Sequence, residues 1–133
     1  MTFLDTGILV GAVLAQHPEH AACLEALAQS GAPFTDAHAL AEAFATLTGF
    51  YKVPVAAGAE LILGLKSCLT VEPLTLADYQ KAIGEAQRRG VMGGGIYDSL
   101  HATFARRKGA KRIVTRNPSH FAHVAPDLEI LMP

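Results

Sequence analysis

Short apolar runs alternate along the chain with longer stretches in which apolar residues recur every three or four positions. The short runs predict strands at residues 2–4, 32–35, 69–73, 112–115 and 128–131. The longer ones predict helices at residues 6–14, 20–29, 37–51, 54–67, 76–89 and 96–108. Within the second helix, for example, Ala21, Leu24, Leu27 and Ala28 share one face. Thr6, Asp36 and Thr75 are candidate N-caps, and Gly31, Gly90 and Gly109 are candidate stops. Strands alternating with helices imply an α/β fold. Its mostly parallel central sheet, of about five strands, is covered by helices on both faces and joined by right-handed crossovers. No repeat, low-complexity segment or linker divides residues 1–133, so a single domain is expected.

Composition agrees with a packed core. Half of the 133 residues are hydrophobic and 17% are charged, which excludes a disordered chain. Cys23 and Cys68 fall in helical patterns without a CxxC spacing, so both are expected to be buried, reduced thiols in a cytoplasmic protein. The apolar run at residues 7–15 is too short to span a bilayer, lacks a basic leader and follows Asp5, so no membrane association is expected. The formal net charge is −1, which gives no global steering towards a polyanion. Its distribution is uneven. Residues 86–125 hold eight basic residues (Arg88, Arg89, Arg106, Arg107, Lys108, Lys111, Arg112, Arg116) and one acid, Asp98. That sector suits a polyanionic partner, while Arg106, Arg107 and Lys108 just before Gly109 equally suit a helix C-terminus.

Three carboxylates stand in apolar or small-residue surroundings. Asp5 ends Phe3-Leu4-Asp5-Thr6, Glu42 lies in Leu40-Ala41-Glu42-Ala43-Phe44, and Asp98 lies in Gly95-Ile96-Tyr97-Asp98-Ser99-Leu100-His101-Ala102. Open parallel sheets bind ligands beyond the carboxyl ends of their strands. Asp5 directly follows the first predicted strand, and Glu42 is one to two turns into the helix after the second. Asp98 begins the helix before the fourth strand, and Thr115-Arg116-Asn117 follows it. All can face one end of the sheet. Gathering like charges there requires a cation to offset them. Oxygen ligands without cysteine suit Mg²⁺, with Mn²⁺ as a substitute. Asp5 and Asp98 are expected to bind the ion directly, and Glu42 directly or through water. Thr6 and Thr115 are positioned to orient ligands or water, or equally to serve as a helix cap and a strand end.

In order and spacing these residues resemble the PIN-domain nucleases, in particular the VapC-type toxins of bacterial toxin–antitoxin pairs. The resemblance spans nearly the whole chain. It runs from Phe3-Leu4-Asp5-Thr6 through His17-Pro18-Glu19-His20, the helices carrying Glu42 and Asp98, and the closing Ile113-Val114-Thr115-Arg116-Asn117-Pro118-Ser119-His120-Phe121. It implies a three-layer α/β/α PIN-like fold and a divalent metal. It also implies cleavage of an RNA substrate, a cognate antitoxin protein and a homodimer. On that resemblance Asp5, Glu42 and Asp98 match the acidic triad. Asn117 stands where the family often has a fourth acid; it can accept a hydrogen bond but brings no charge. One firmly bound Mg²⁺ is therefore expected, with any second ion dependent on RNA phosphate.

The principal reading is a Mg²⁺-dependent endoribonuclease toxin. The alternative is a catalytically weakened PIN-fold interaction module that binds an antitoxin or RNA without efficient cleavage. A receiver-like phosphoryl-transfer domain fits less well, because Asp5 lacks a DxDx(T/V) motif. His17/His20 and His120/His123 are each spaced i,i+3, and His101 follows Asp98 by three. With no HExxH and no neighbouring cysteine they read as surface or partly buried histidines rather than zinc ligands. Gly93-Gly94-Gly95 lacks the lysine of a P-loop and reads as a flexible loop. Tyr97 and Phe121 are read as base-stacking or core residues. Phe44, Leu47, Phe50 and Tyr51 are candidates for a groove accepting a partner helix, or for ordinary core.

Overall fold

The computed structural model describes residues 1–133. Five parallel strands form one sheet: β1 (Thr2–Leu4), β2 (Pro33–Asp36), β3 (Thr70–Glu72), β4 (Arg112–Val114) and β5 (Glu129–Leu131), in the order β3-β2-β1-β4-β5. Seven α-helices cover it: α1 (Thr6–Val13), α2 (His20–Gln29), α3 (Ala37–Ala45), α4 (Val55–Gly64), α5 (Leu76–Arg89), α6 (Gly95–Arg107) and α7 (Pro118–Phe121). This is the expected three-layer α/β/α arrangement.

The pleat explains the two cores. Successive side chains of a strand point to opposite faces. Leu4 and Val114 join the cluster built from α1 to α4, with Ile8, Leu9, Leu47 and Ile62. Phe3 and Ile113 join the other, with Phe34, Phe104, Phe121 and Val124. Both faces of β1 and β4 are buried, which is why these strands read as unbroken apolar runs.

Local chemistry sets the ends. Asp5, not Thr6, is the N-cap of α1: its Oδ1 accepts from the Thr6 amide at 2.8 Å. Asp36 caps α3 through the Ala39 amide at 2.9 Å, and Thr75 forms a capping box with Asp78 at α5. Gly90 closes α5 at φ +67°, a left-handed conformation that favours glycine.

Four expectations need correction. The helix expected over residues 37–51 is α only to Ala45, and Thr46–Phe50 is a π-helical turn. The Thr46 and Thr48 hydroxyls bond back to the carbonyls of Glu42 and Phe44, an arrangement that bends helices. Cys68 is exposed, and only Cys23 is a buried thiol. His17 and His101, expected at the surface or partly buried, are buried at 4% and 0% exposure. The basic sector is not free: Arg88 and Arg89 meet Glu85, Arg106 meets Asp127, and Arg107 meets Asp78. Lys108 meets Glu72, Arg112 meets Glu129, and Arg116 meets Glu19. Only Lys111 of the eight has no ion pair, so the sector offers a polyanion far less than its sequence count suggests. No helix is long and apolar enough to cross a membrane.

Candidate active site

The carboxyl ends of the central strands supply the first candidate ligands. β1 ends at Leu4 and delivers Asp5, β2 ends on Asp36, and β4 ends at Val114 and delivers Thr115. The Asp5 amide bonds the Val114 carbonyl at 3.0 Å, which ties the first and last of these together. Asp5 is 6% exposed. Its Oδ2 accepts from the Thr115 hydroxyl at 2.7 Å, and Thr115 Oγ1 accepts in turn from the Asn117 amide at 3.0 Å. Thr115 thus holds Asp5 in place. Asn117 enters this chain through its backbone, while its side chain is exposed and makes no hydrogen bond. Thr6 Oγ1 lies buried beside Asp5 without a protein partner.

Glu42 projects from α3, one turn beyond His38. Its Oε1 lies 2.7 Å from His38 Nδ1 and 2.8 Å from His101 Nε2. The other nitrogen of His101 lies 2.6 Å from Asp36 Oδ2. Both nitrogens of this buried ring face carboxylate oxygens. Burial alone lowers the pKa of His101, but the hydrogen bonds and charges of Asp36 and Glu42 prevail and push it up to about 10. Burial raises the pKa of Glu42, yet the bonds and charges of His101 and His38 outweigh it and leave Glu42 more acidic than usual.

Asp98 sits in the first turn of α6, where the helix dipole favours an anion. It makes no hydrogen bond; His120 Nδ1 is 3.5 Å from Oδ2. Burial, then the charges of Asp5 and Glu42, push its pKa up to about 6 despite His101 and His120. Burial likewise raises Asp5, against the opposing pull of His101, Thr115 and Thr6. Asp98 thus feels the charges of both Asp5 and Glu42, and Asp5 feels that of Glu42. Gly94, Gly95, Asp98, His120 and His123 line an adjoining polar cavity of about 270 Å³. Gly95 begins α6, and Gly93 adopts φ +56° just before it.

The sequence did not single out Asp36, His38 and His101 as parts of this site. Two signals were present. Asp36 follows Phe34-Thr35 as Asp5 follows Phe3-Leu4, and His38 and Glu42 are spaced i,i+4 on one helix. That His101 joins them depends on α6 packing beside β2. Tyr97 is 46% exposed and stacks on His38 at 5.2 Å, whereas Phe121 is core. Leu47 is core, but Phe50 is 76% exposed. An apolar cleft of about 530 Å³ lies nearby, between Leu14, Tyr51, Val53, Pro54 and Leu61.

Several solved structures share this fold. VapC20 of Mycobacterium tuberculosis, described as a sarcin-ricin loop cleaving toxin, superposes with a TM-score of 0.72 at 18% identity, over 85% of this chain and 87% of its own. VapBC2 of Rickettsia felis, bound to a DNA fragment from its promoter, gives 0.70 at 23% identity over 99% and 98%. FitAcB from Neisseria gonorrhoeae gives 0.64 at 18% over 98% and 96%. A comparison with curated protein sequences finds no match. The family profile for the PIN domain matches residues 2–126, nearly the whole chain, so the chain belongs to the PIN-domain family of nucleases.

Proposed function

We propose that the protein is a Mg²⁺-dependent endoribonuclease toxin restrained by a cognate antitoxin. The observation that carries this reading is the match of residues 2–126 to the PIN domain, supported by the placement of Asp98 within electrostatic reach of Asp5 and Glu42, where burial and then their charges raise its pKa to about 6. A carboxylate that resists ionisation because it is partly buried, and then because other carboxylates lie near it, is a candidate ligand for a cation. The groups fit a hard divalent ion: oxygen donors, with the buried Thr6 hydroxyl unpartnered beside them. Asp5, Asp98 and Glu42 would hold it. When bound, the ion would lower the pKa of a water and stabilise charge on a phosphodiester during in-line attack, giving a 5′-phosphate and a 3′-hydroxyl.

The chain's own groups prepare that chemistry. Thr115 and the Thr6 amide fix both oxygens of Asp5. His101 and His38 hold Oε1 of Glu42, leaving its second oxygen without a hydrogen bond. Asp98 stands at the mouth of a polar cavity large enough for a phosphate group. RNA is the proposed substrate by analogy with the sarcin-ricin loop cleaving neighbour. An antitoxin partner is proposed from the likeness to the VapBC2 and FitAcB structures, and a homodimer from the family resemblance alone. The apolar cleft beside Tyr51 and Val53 would receive the apolar face of the antitoxin. The purified protein should cleave RNA with Mg²⁺ and not with EDTA, and Asp98→Asn should reduce the rate at least about a hundredfold. Undiminished cleavage by the variant, with contaminating nuclease excluded, would refute the assignment.

A further inference from the structure

We propose that His38, Glu42 and His101 form a second metal site, selective for a borderline divalent transition metal such as Zn²⁺ or Co²⁺, with Asp36 as the outer partner of His101. His38 and Glu42 lie one turn apart on α3, so their side chains leave the same face of the helix. His101 arrives from α6. One ligand atom of each of His38, Glu42 and His101 lies within 4.8 Å of the others, and Oε1 of Glu42 is 2.7 Å from His38 Nδ1 and 2.8 Å from His101 Nε2. Two imidazoles and one carboxylate are a donor set for zinc and its neighbours. Mg²⁺, by contrast, prefers oxygens and keeps its water.

The outer contacts are those a metal-bound histidine needs. A ligating imidazole commonly donates its remaining N–H to a carboxylate, which fixes the tautomer and aims the other nitrogen. Asp36 Oδ2 accepts that bond from His101 Nδ1 at 2.6 Å, and its other oxygen accepts from the Ala39 amide. The ring is fully buried and packs on Phe3 at 5.6 Å, so His101 is the fixed ligand. His38 and Glu42 are the adjustable ones: each side chain is 27% exposed, and His38 is steadied by stacking on Tyr97.

Small motions suffice. Metal–ligand bonds of about 2.1 Å in tetrahedral array separate ligand atoms by about 3.4 Å. The present contacts of 2.7 and 2.8 Å need only to open by a fraction of an ångström while the two nitrogens draw together. Protons now lying between the rings and Glu42 would leave as the metal enters. The partial exposure of His38 and Glu42 leaves room for water as the fourth ligand.

Cobalt absorption separates this site from the carboxylate pocket, and its readout is independent of RNA cleavage. The full chain, stripped with chelator and desalted, is titrated with Co²⁺ and followed by visible ligand-field absorption. Expected is a saturable band of tetrahedral intensity at one equivalent, bleached by stoichiometric Zn²⁺. The band persists in Asp98→Asn, and affinity falls at least about tenfold in His38→Ala. Circular dichroism confirms that His38→Ala, a change at a partly exposed position, keeps the fold. Absence of a tetrahedral band in the folded parent overturns the proposal. So does a band unaffected by His38→Ala, or one lost in Asp98→Asn but kept in His38→Ala.

Discussion

Asp98→Asn should stabilise the metal-free protein while impairing the function proposed for it. Asp98 titrates near 6 in the folded state against 3.8 without perturbation. The folded protein therefore binds this proton more tightly than the unfolded chain. The associated stability is present below about pH 4 and lost as pH rises through about 6. Two pKa units are worth about 3 kcal/mol, an upper figure because a quarter of the side chain is exposed. Asparagine, which carries no charge, escapes that loss. In EDTA at pH 8 the variant should melt above the parent by up to about 12 °C, taking roughly 4 °C per kcal/mol for a domain of this size. At pH 4 the two should melt together. Mg²⁺ at a hundredfold excess over its dissociation constant should stabilise the parent by about 2.7 kcal/mol and the variant by much less. Paired thermal melts at the two pH values and matched ionic strength measure this. Equal melting in EDTA at pH 8, or equal stabilisation by Mg²⁺, would refute a shared carboxylate pocket.

Gly11→Ala should lower stability by about 1–3 kcal/mol, because its Cβ would fall 2.5 Å from Cys23 Sγ. Adding Cys23→Ala should recover part of that loss in urea unfolding. Thr75→Ala removes the hydroxyl of the α5 capping box and should cost about 1 kcal/mol by the same assay. Leu47→Ala empties a fully buried position in the π-helical turn and should cost about 2–5 kcal/mol.

The periodicity of the chain located all five strands and the first six helices. These elements depend on local signals: both faces of β1 are apolar, and Asp36 and Thr75 announce helix starts. The short helix α7 escaped, since its one turn after Asn117-Pro118 leaves no period to detect. The π-helical turn escaped because threonine back-bonding at Thr46 and Thr48 competes with a pattern that reads as continuous helix. At the candidate site, strand and helix positions suggested Asp5, Glu42 and Asp98, and the fold brings Asp98 within electrostatic reach of the other two. The roles of Asp36 and His101 were not, because 65 residues separate two atoms that lie 2.6 Å apart. The pairing of the basic sector was hidden for the same reason: Arg107 meets Asp78 and Arg116 meets Glu19 only after folding.

Locating the catalytic ion tests the central claim most directly. Crystals grown with Mn²⁺ in place of Mg²⁺ should show an anomalous peak at coordination distance from the carboxylates of Asp5 and Asp98, with Glu42 bound directly or through water. The same crystal form of Asp98→Asn should show that peak diminished or lost. Saturating Mn²⁺ that leaves no ion on Asp5 or Asp98 would contradict the account of the pocket as a nuclease metal centre.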